Sequence, residues 1–150
     1  MSLLNYSLAA LVAYLGLISG LMLSIVAKEE LKAGRKYFFI LQKVLLVLIF
    51  SILLVLRPGY LPIFLSVIFM NYLLVHKNLS SPMIYLFLAG VFYLSSIRLD
   101  IFIVEASLIF LYGFPTGSIV ASKSIKESIM KISRYSSFVL LAIVLFLLAV

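Results

Sequence analysis

Apolar and polar positions along this chain come in long blocks rather than in the short alternations of a soluble fold. The apolar runs are Leu3 to Ala27, Tyr37 to Leu56, Leu61 to Val75, Met83 to Ile97, Ile101 onward and Tyr135 to Val150, with short polar connections between them. A hydrocarbon core about 30 Å thick takes roughly 20 apolar residues at about 1.5 Å of helical rise each. The pattern predicts an all-α fold: a polytopic transmembrane helix bundle of six spans, forming a single integral membrane domain over 1–150. The first run has no basic residues before it and exceeds a signal-peptide core of about 7–15 residues, so it reads as a retained helix.

The connections carry the turn chemistry. Lys28 to Lys36, KEELKAGRK, reads as a solvated loop in which Gly34 can end a helical extension of the first span. Gln42 and Lys43 lie one to two turns into the second run, near enough to its end for the lysine to snorkel back to water. Arg57-Pro58-Gly59 is a tight turn, and Pro62 is tolerable in the first turn of the third span. The fourth run ends at Arg98, and Leu99-Asp100 turns the chain into the fifth.

The fifth run contains Gly113-Phe-Pro-Thr-Gly117 and allows two endings. It can run on to Ser122 across Pro115, or stop near Gly113 with Ser118 capping a new helix; the second ending is the expectation, because proline breaks backbone hydrogen bonding. Beyond it, Ile125, Ile129 and Ile132 share one helical face while Lys123, Lys126, Glu127, Lys131 and Arg134 lie largely off it. That is a short amphipathic interfacial helix in the headgroup plane, placed before the last span.

Charge sets the expected orientation. Nine of the twelve basic residues fall in the first, third and fifth connections: Lys28, Lys32, Arg35, Lys36, Lys77, Lys123, Lys126, Lys131 and Arg134. Only Arg57 and Arg98 fall in the second and fourth. The positive-inside rule puts the odd connections in the cytoplasm and both termini outside, in a multi-pass protein of the plasma membrane. Lys28, Lys32, Arg35, Lys36, Lys123, Lys126, Lys131 and Arg134 then form a surface suited to anionic lipid headgroups. The net charge of +7 is explained by topology, since no basic–aromatic module for nucleic acid is present.

Two glycine pairs at four-residue spacing, Gly16 with Gly20 and Gly113 with Gly117, predict helix faces that allow close backbone approach in lipid. Each is followed by a Ser-Ile-Val-Ala segment and a basic stretch, which suggests a duplicated hairpin, residues 1–57 and 99–150, around a central one.

Glu105 is the one carboxylate inside an apolar run. An isolated buried carboxylate costs several kcal/mol, so it should be protonated, paired or watered. Arg98, seven residues earlier, is the expected partner on the same face, and Asn71 is expected to bond a neighbouring helix or line a path with Glu105. The chain has no cysteine, and His76, its single histidine, has no companion ligand, so no metal or cofactor is expected. No hydrolase relay, HExxH, phosphate loop or dinucleotide fingerprint occurs. The resulting expectation is a non-enzymatic membrane protein, a small subunit or scaffold that packs with copies of itself or with other membrane subunits through its glycine faces. The alternative is a small oligomeric transporter or channel that uses Glu105 as a proton- or cation-coupling residue, with Asn71 and Arg98 nearby.

Overall fold

The computed structural model describes residues 2–56, 58–75, 79–122 and 124–148, with the side chains of 28–33 outside that description. Arg57, His76, Lys77 and Lys123, and the side chains of Lys28 and Lys32, therefore lie outside the described residues. The helices are α1 (Leu3–Val26), α2 (Lys28–Leu56), α3 (Tyr60–Val75), α4 (Pro82–Ser95), α5 (Leu99–Val120), α6 (Ile125–Ser133) and α7 (Ser137–Leu147); a 3-10 turn, Arg134–Ser136, joins the last two. There is no strand among the described residues. Four stretches are long and apolar enough to cross a membrane: Leu3–Val26, Gly34–Leu56, Leu99–Val120 and Ile125–Leu147. The apolar helices α3 and α4 are shorter, at 16 and 14 residues.

Burial follows helical spacing. On α2 the buried positions are Gln42, Leu45, Leu46, Ile49, Phe50 and Leu53, a single stripe at three- and four-residue steps. On α1 the inward stripe is made of small residues, with Ala10, Ala13, Gly16 and Gly20 among Tyr6, Leu17 and Leu21. The central helix is α4, which packs against α2, α3, α5 and α7 and buries Ile84, Tyr85, Leu88, Ala89, Val91, Phe92 and Leu94. At one end of the bundle Tyr6 packs among Phe92, Phe102 and Phe146, its ring centroid 4.4 Å from that of Phe146.

The closest contact in the fold is between α1 and α5, which run parallel. A Cβ on Gly20 would collide with the Phe114 carbonyl oxygen, and one on Gly117 with the Leu17 carbonyl oxygen. These two contacts are reciprocal: each glycine faces the carbonyl three residues before the glycine of the other motif. A Cβ on Gly113 would lie 2.6 Å from the Leu17 nitrogen, and one on Gly16 would strike the Phe110 carbonyl. Ser118 Oγ fastens the seam by donating to the Gly20 carbonyl at 2.8 Å. The glycine faces expected to receive a second chain are thus closed on each other within this one.

Several sequence expectations are corrected. The connection 28–36 is helical: the helix is interrupted at Ala27 alone, whose N–H still donates to Leu23 O at 2.9 Å, and Gly34 lies inside α2. The fifth helix does not stop near Gly113 but continues through Pro115 to Val120, and Ser118 caps nothing. Around the proline, α1 lies against the backbone of α5 at Gly113 and Gly117, and Thr116 Oγ1 donates to the Tyr112 carbonyl at 2.8 Å. The short amphipathic helix expected before the last span is present as α6, and the 3-10 turn leads it directly into α7. It is docked on α1, where Tyr14 Oη donates to the Ile132 carbonyl at 3.0 Å.

Because the α1–α5 seam has no room for a side chain, Gly16→Ala or Gly117→Ala is expected to destabilise the protein by about 1–3 kcal/mol. Among the described residues Gly34 has only Phe38 within reach, at 3.8 Å from its Cβ position. Gly34→Ala should therefore stabilise by up to about 1 kcal/mol through helix propensity. Unfolding midpoints of the purified protein in detergent check both; equal midpoints for seam and control variants would rule out the seam as a determinant of stability.

Candidate functional site

Along α5, Glu105, Ile109, Tyr112 and Thr116 succeed one another at four-, three- and four-residue steps, so they share one face, and none of them is exposed. Three of the four are polar. The lower part of this stripe is a hydroxyl node. Gln42 Nε2, from α2, donates to Thr116 Oγ1 at 2.9 Å and to Ser80 Oγ at 3.1 Å. Thr116 spends its own proton on Tyr112 O, which leaves its oxygen free to accept. Tyr112 Oη donates to the Leu79 carbonyl at 2.5 Å, and Tyr135 Oη donates to the Ser80 carbonyl. Tyr72 Oη donates to Ser81 Oγ at 2.9 Å. The residues leading into α4 are thereby tied to α2, α3, α5 and the 3-10 turn, which satisfies irregular backbone where water is scarce. Tyr85 completes the node, its ring 5.1 Å from that of Tyr135 and 5.7 Å from that of Tyr112.

Glu105 lies two helical turns above Tyr112. Its side chain is fully buried, and neither carboxylate oxygen has a hydrogen-bond partner among the described residues. An ion held in that condition costs several kcal/mol. Arg98 is not its partner. That arginine precedes α5 with extended backbone (φ −123°, ψ 118°), so the seven-residue spacing never places it on the helical face. Its guanidinium instead lies 2.6 Å from exposed Asp100. Asn71 is not its neighbour in a path either: the side chain is exposed on α3 and donates to Val67 O of its own helix at 2.9 Å. Among the described residues it bonds to no other helix.

Of the expected headgroup surface, Arg35, Lys36, Lys126 and Arg134 are exposed and Lys131 is half-buried. Among the described residues no group of three His, Cys, Asp or Glu side chains is placed to hold a metal ion. Sequence reading missed Gln42, Ser80, Tyr85, Tyr112, Thr116 and Tyr135. Part of the signal was present: Tyr112 and Thr116 fall on the Glu105 face once the helix is allowed to continue through Pro115. Compared with known proteins, the chain matches no family model, no curated protein and no solved structure.

A leucine at position 105 would remove two unsatisfied oxygens at nearly constant volume. Glu105→Leu is expected to raise stability by about 1–3 kcal/mol, the desolvation cost of an unpartnered polar group. Thermal unfolding in detergent measures this. A clear fall in midpoint would mean that the carboxyl holds the helices together, which is the packing-clamp role.

Proposed function

We propose that this chain is a non-enzymatic integral membrane protein of six spans that takes up and releases a proton at Glu105. The observation that carries the reading is a carboxyl buried without a partner, on the face of α5 that also bears Tyr112 and Thr116. Ionisable groups inside membrane helices are costly and mark ion or proton pathways by default. A side chain kept only for packing would be apolar, or would be paired.

The six-span arrangement agrees with parity. Since α1 and α5 run parallel, an odd number of spans must return the chain between them; α2, α3 and α4 together meet this condition, as does α2 alone. The connections carrying most of the positive charge then share one end, which the reading assigns to the cytoplasm, with both termini outside in the plasma membrane. Ile109 interrupts the stripe between Glu105 and Tyr112, so one copy has no continuous polar lining. The proton-carrying unit is accordingly proposed to work in an oligomer or with other membrane subunits. Association through the glycine faces is not part of this reading, because α1 and α5 use them on each other.

Infrared spectroscopy of the protein in lipid vesicles tests the reading without knowledge of a substrate. A carboxylic C=O band absent from Glu105→Gln should change intensity with pH and shift when the vesicles are moved to D2O. A band assigned to Glu105 that neither exchanges nor titrates would identify a static packing group and end the proposal.

A further inference from the structure

Apart from Glu105, the end of the bundle that carries the hydroxyl node opens into a cleft of about 410 Å³. It lies between the start of α2, the start of α4, the end of α5 and the α6–α7 junction. Three cationic side chains line it: Arg35, Lys131 and Arg134. They come from segments nearly a hundred residues apart in the chain, so the fold, not a local run of charge, brings them together.

Among the described residues none of the three makes a direct ion pair. The single ion pair among the described residues is Arg98 with Asp100, which involves none of them. The carboxylate of Glu127, one turn before Lys131 on α6, accepts from the Ser122 hydroxyl, and Lys131 Nζ reaches that same hydroxyl at 3.4 Å. Arg35 lies over the ring of Phe39, its Cζ 5.9 Å from the centroid, a contact that steadies the guanidinium at the cleft. Like charges gathered in one cleft raise its affinity for an anion.

Two further features add to this. Ser80 and Pro82 line the cleft, so the N-terminus of the 14-residue helix α4, with the positive end of its dipole, borders it. Phe39, Ile119 and Val120 supply an apolar wall beside the charges, and two of the membrane-length stretches, Gly34–Leu56 and Leu99–Val120, begin and end there. A soluble anion has no use for such a wall. A phosphate that carries acyl chains does.

We infer that this cleft binds the phosphate group of an anionic phospholipid, gripped by the guanidinium forks of Arg35 and Arg134 and by Lys131, with the start of an acyl chain against Phe39 and Ile119. The reading is more specific than a diffuse basic surface, because it assigns the binding to three of the basic residues and not to exposed Lys36 or Lys126, which do not line the cleft.

The test is native mass spectrometry of the intact chain released from phosphatidylcholine bilayers doped with phosphatidylglycerol, with bound lipids counted on each variant. Arg35→Gln with Arg134→Gln should reduce retained phosphatidylglycerol about 25-fold, at roughly fivefold for each charge removed. Lys36→Gln with Lys126→Gln, an equal loss of charge outside the cleft, should leave retention within about twofold of the unaltered chain. Should the glutamine pair not fold, Arg35→Lys with Arg134→Lys decides the matter: charge is kept but the planar forks are lost, and retention should still drop several-fold. Equal losses in the cleft and control variants would overturn the proposal in favour of a diffuse surface. Displacement of the lipid by inorganic phosphate at comparable concentration would overturn it in favour of a soluble-anion site.

Discussion

The close parallel contact of α1 with α5 is the constraint on which the rest of the bundle depends. In lipid, apolar helices gain nothing by leaving the solvent for each other, and association rests on van der Waals contact and interhelical hydrogen bonds. Removing four Cβ atoms, at Gly16, Gly20, Gly113 and Gly117, lets two backbones touch along two helical turns, and the Ser118 hydroxyl adds a bond across the seam. Once that pair is set, α2, α3 and α4 must bring the chain back beside it. Among them α4, a 14-residue helix, packs against α2, α3, α5 and α7.

The same contact fixes what α5 presents elsewhere. With Gly113 and Gly117 turned to α1, the Glu105–Thr116 stripe is directed into the interior, where α2 also packs on this helix. A rotation of α5 by one residue, about 100°, would open the glycine seam and move Glu105 away from the interior together with it. The hydroxyl node works in the same direction from the other side: Gln42, Tyr72, Tyr112 and Tyr135 hold the residues leading into α4, and this sets the height of the central helix against α5. Seam and node therefore fix rotation and height separately.

Much of this was legible in the sequence, and what was not has definite causes. The helical class, the close-approach role of the glycine motifs and the isolation of Glu105 in an apolar run follow from residue type and spacing alone. That the two glycine motifs would meet each other was not visible, because spacing identifies a face but not the face opposite. Pro115 was read as a stop since local rules count a lost hydrogen bond and a steric clash; they do not count a neighbouring helix packed backbone to backbone on either side of it. The Lys28–Lys36 segment was read as a loop from its charges, yet lysine, glutamate, leucine and alanine are strong helix formers, and only Ala27 interrupts the helix. Gln42 was paired in the reading with Lys43 as a boundary residue; one residue along a helix is a turn of about 100°, enough to send the first into the node and the second to the surface.

The buried polar atoms left without a partner separate packing from use. Among the described residues they are the hydroxyls of Tyr6 and Tyr85, the Gln42 carbonyl oxygen and both oxygens of Glu105. The two tyrosines contribute ring contacts, with Tyr6 among phenylalanines and Tyr85 against Tyr112, Tyr135 and Phe138. Gln42 makes two hydrogen bonds through its nitrogen. For each of these, an unmet atom accompanies a larger favourable interaction of the same side chain. Glu105 has no such compensation: its two polar atoms are both unmet, and its short aliphatic stem packs no better than leucine would. A fold already closed by a glycine seam and a hydroxyl node has the stability to carry that cost, and no structural need that explains it. Local rules broken without a local gain are expected where a side chain serves function.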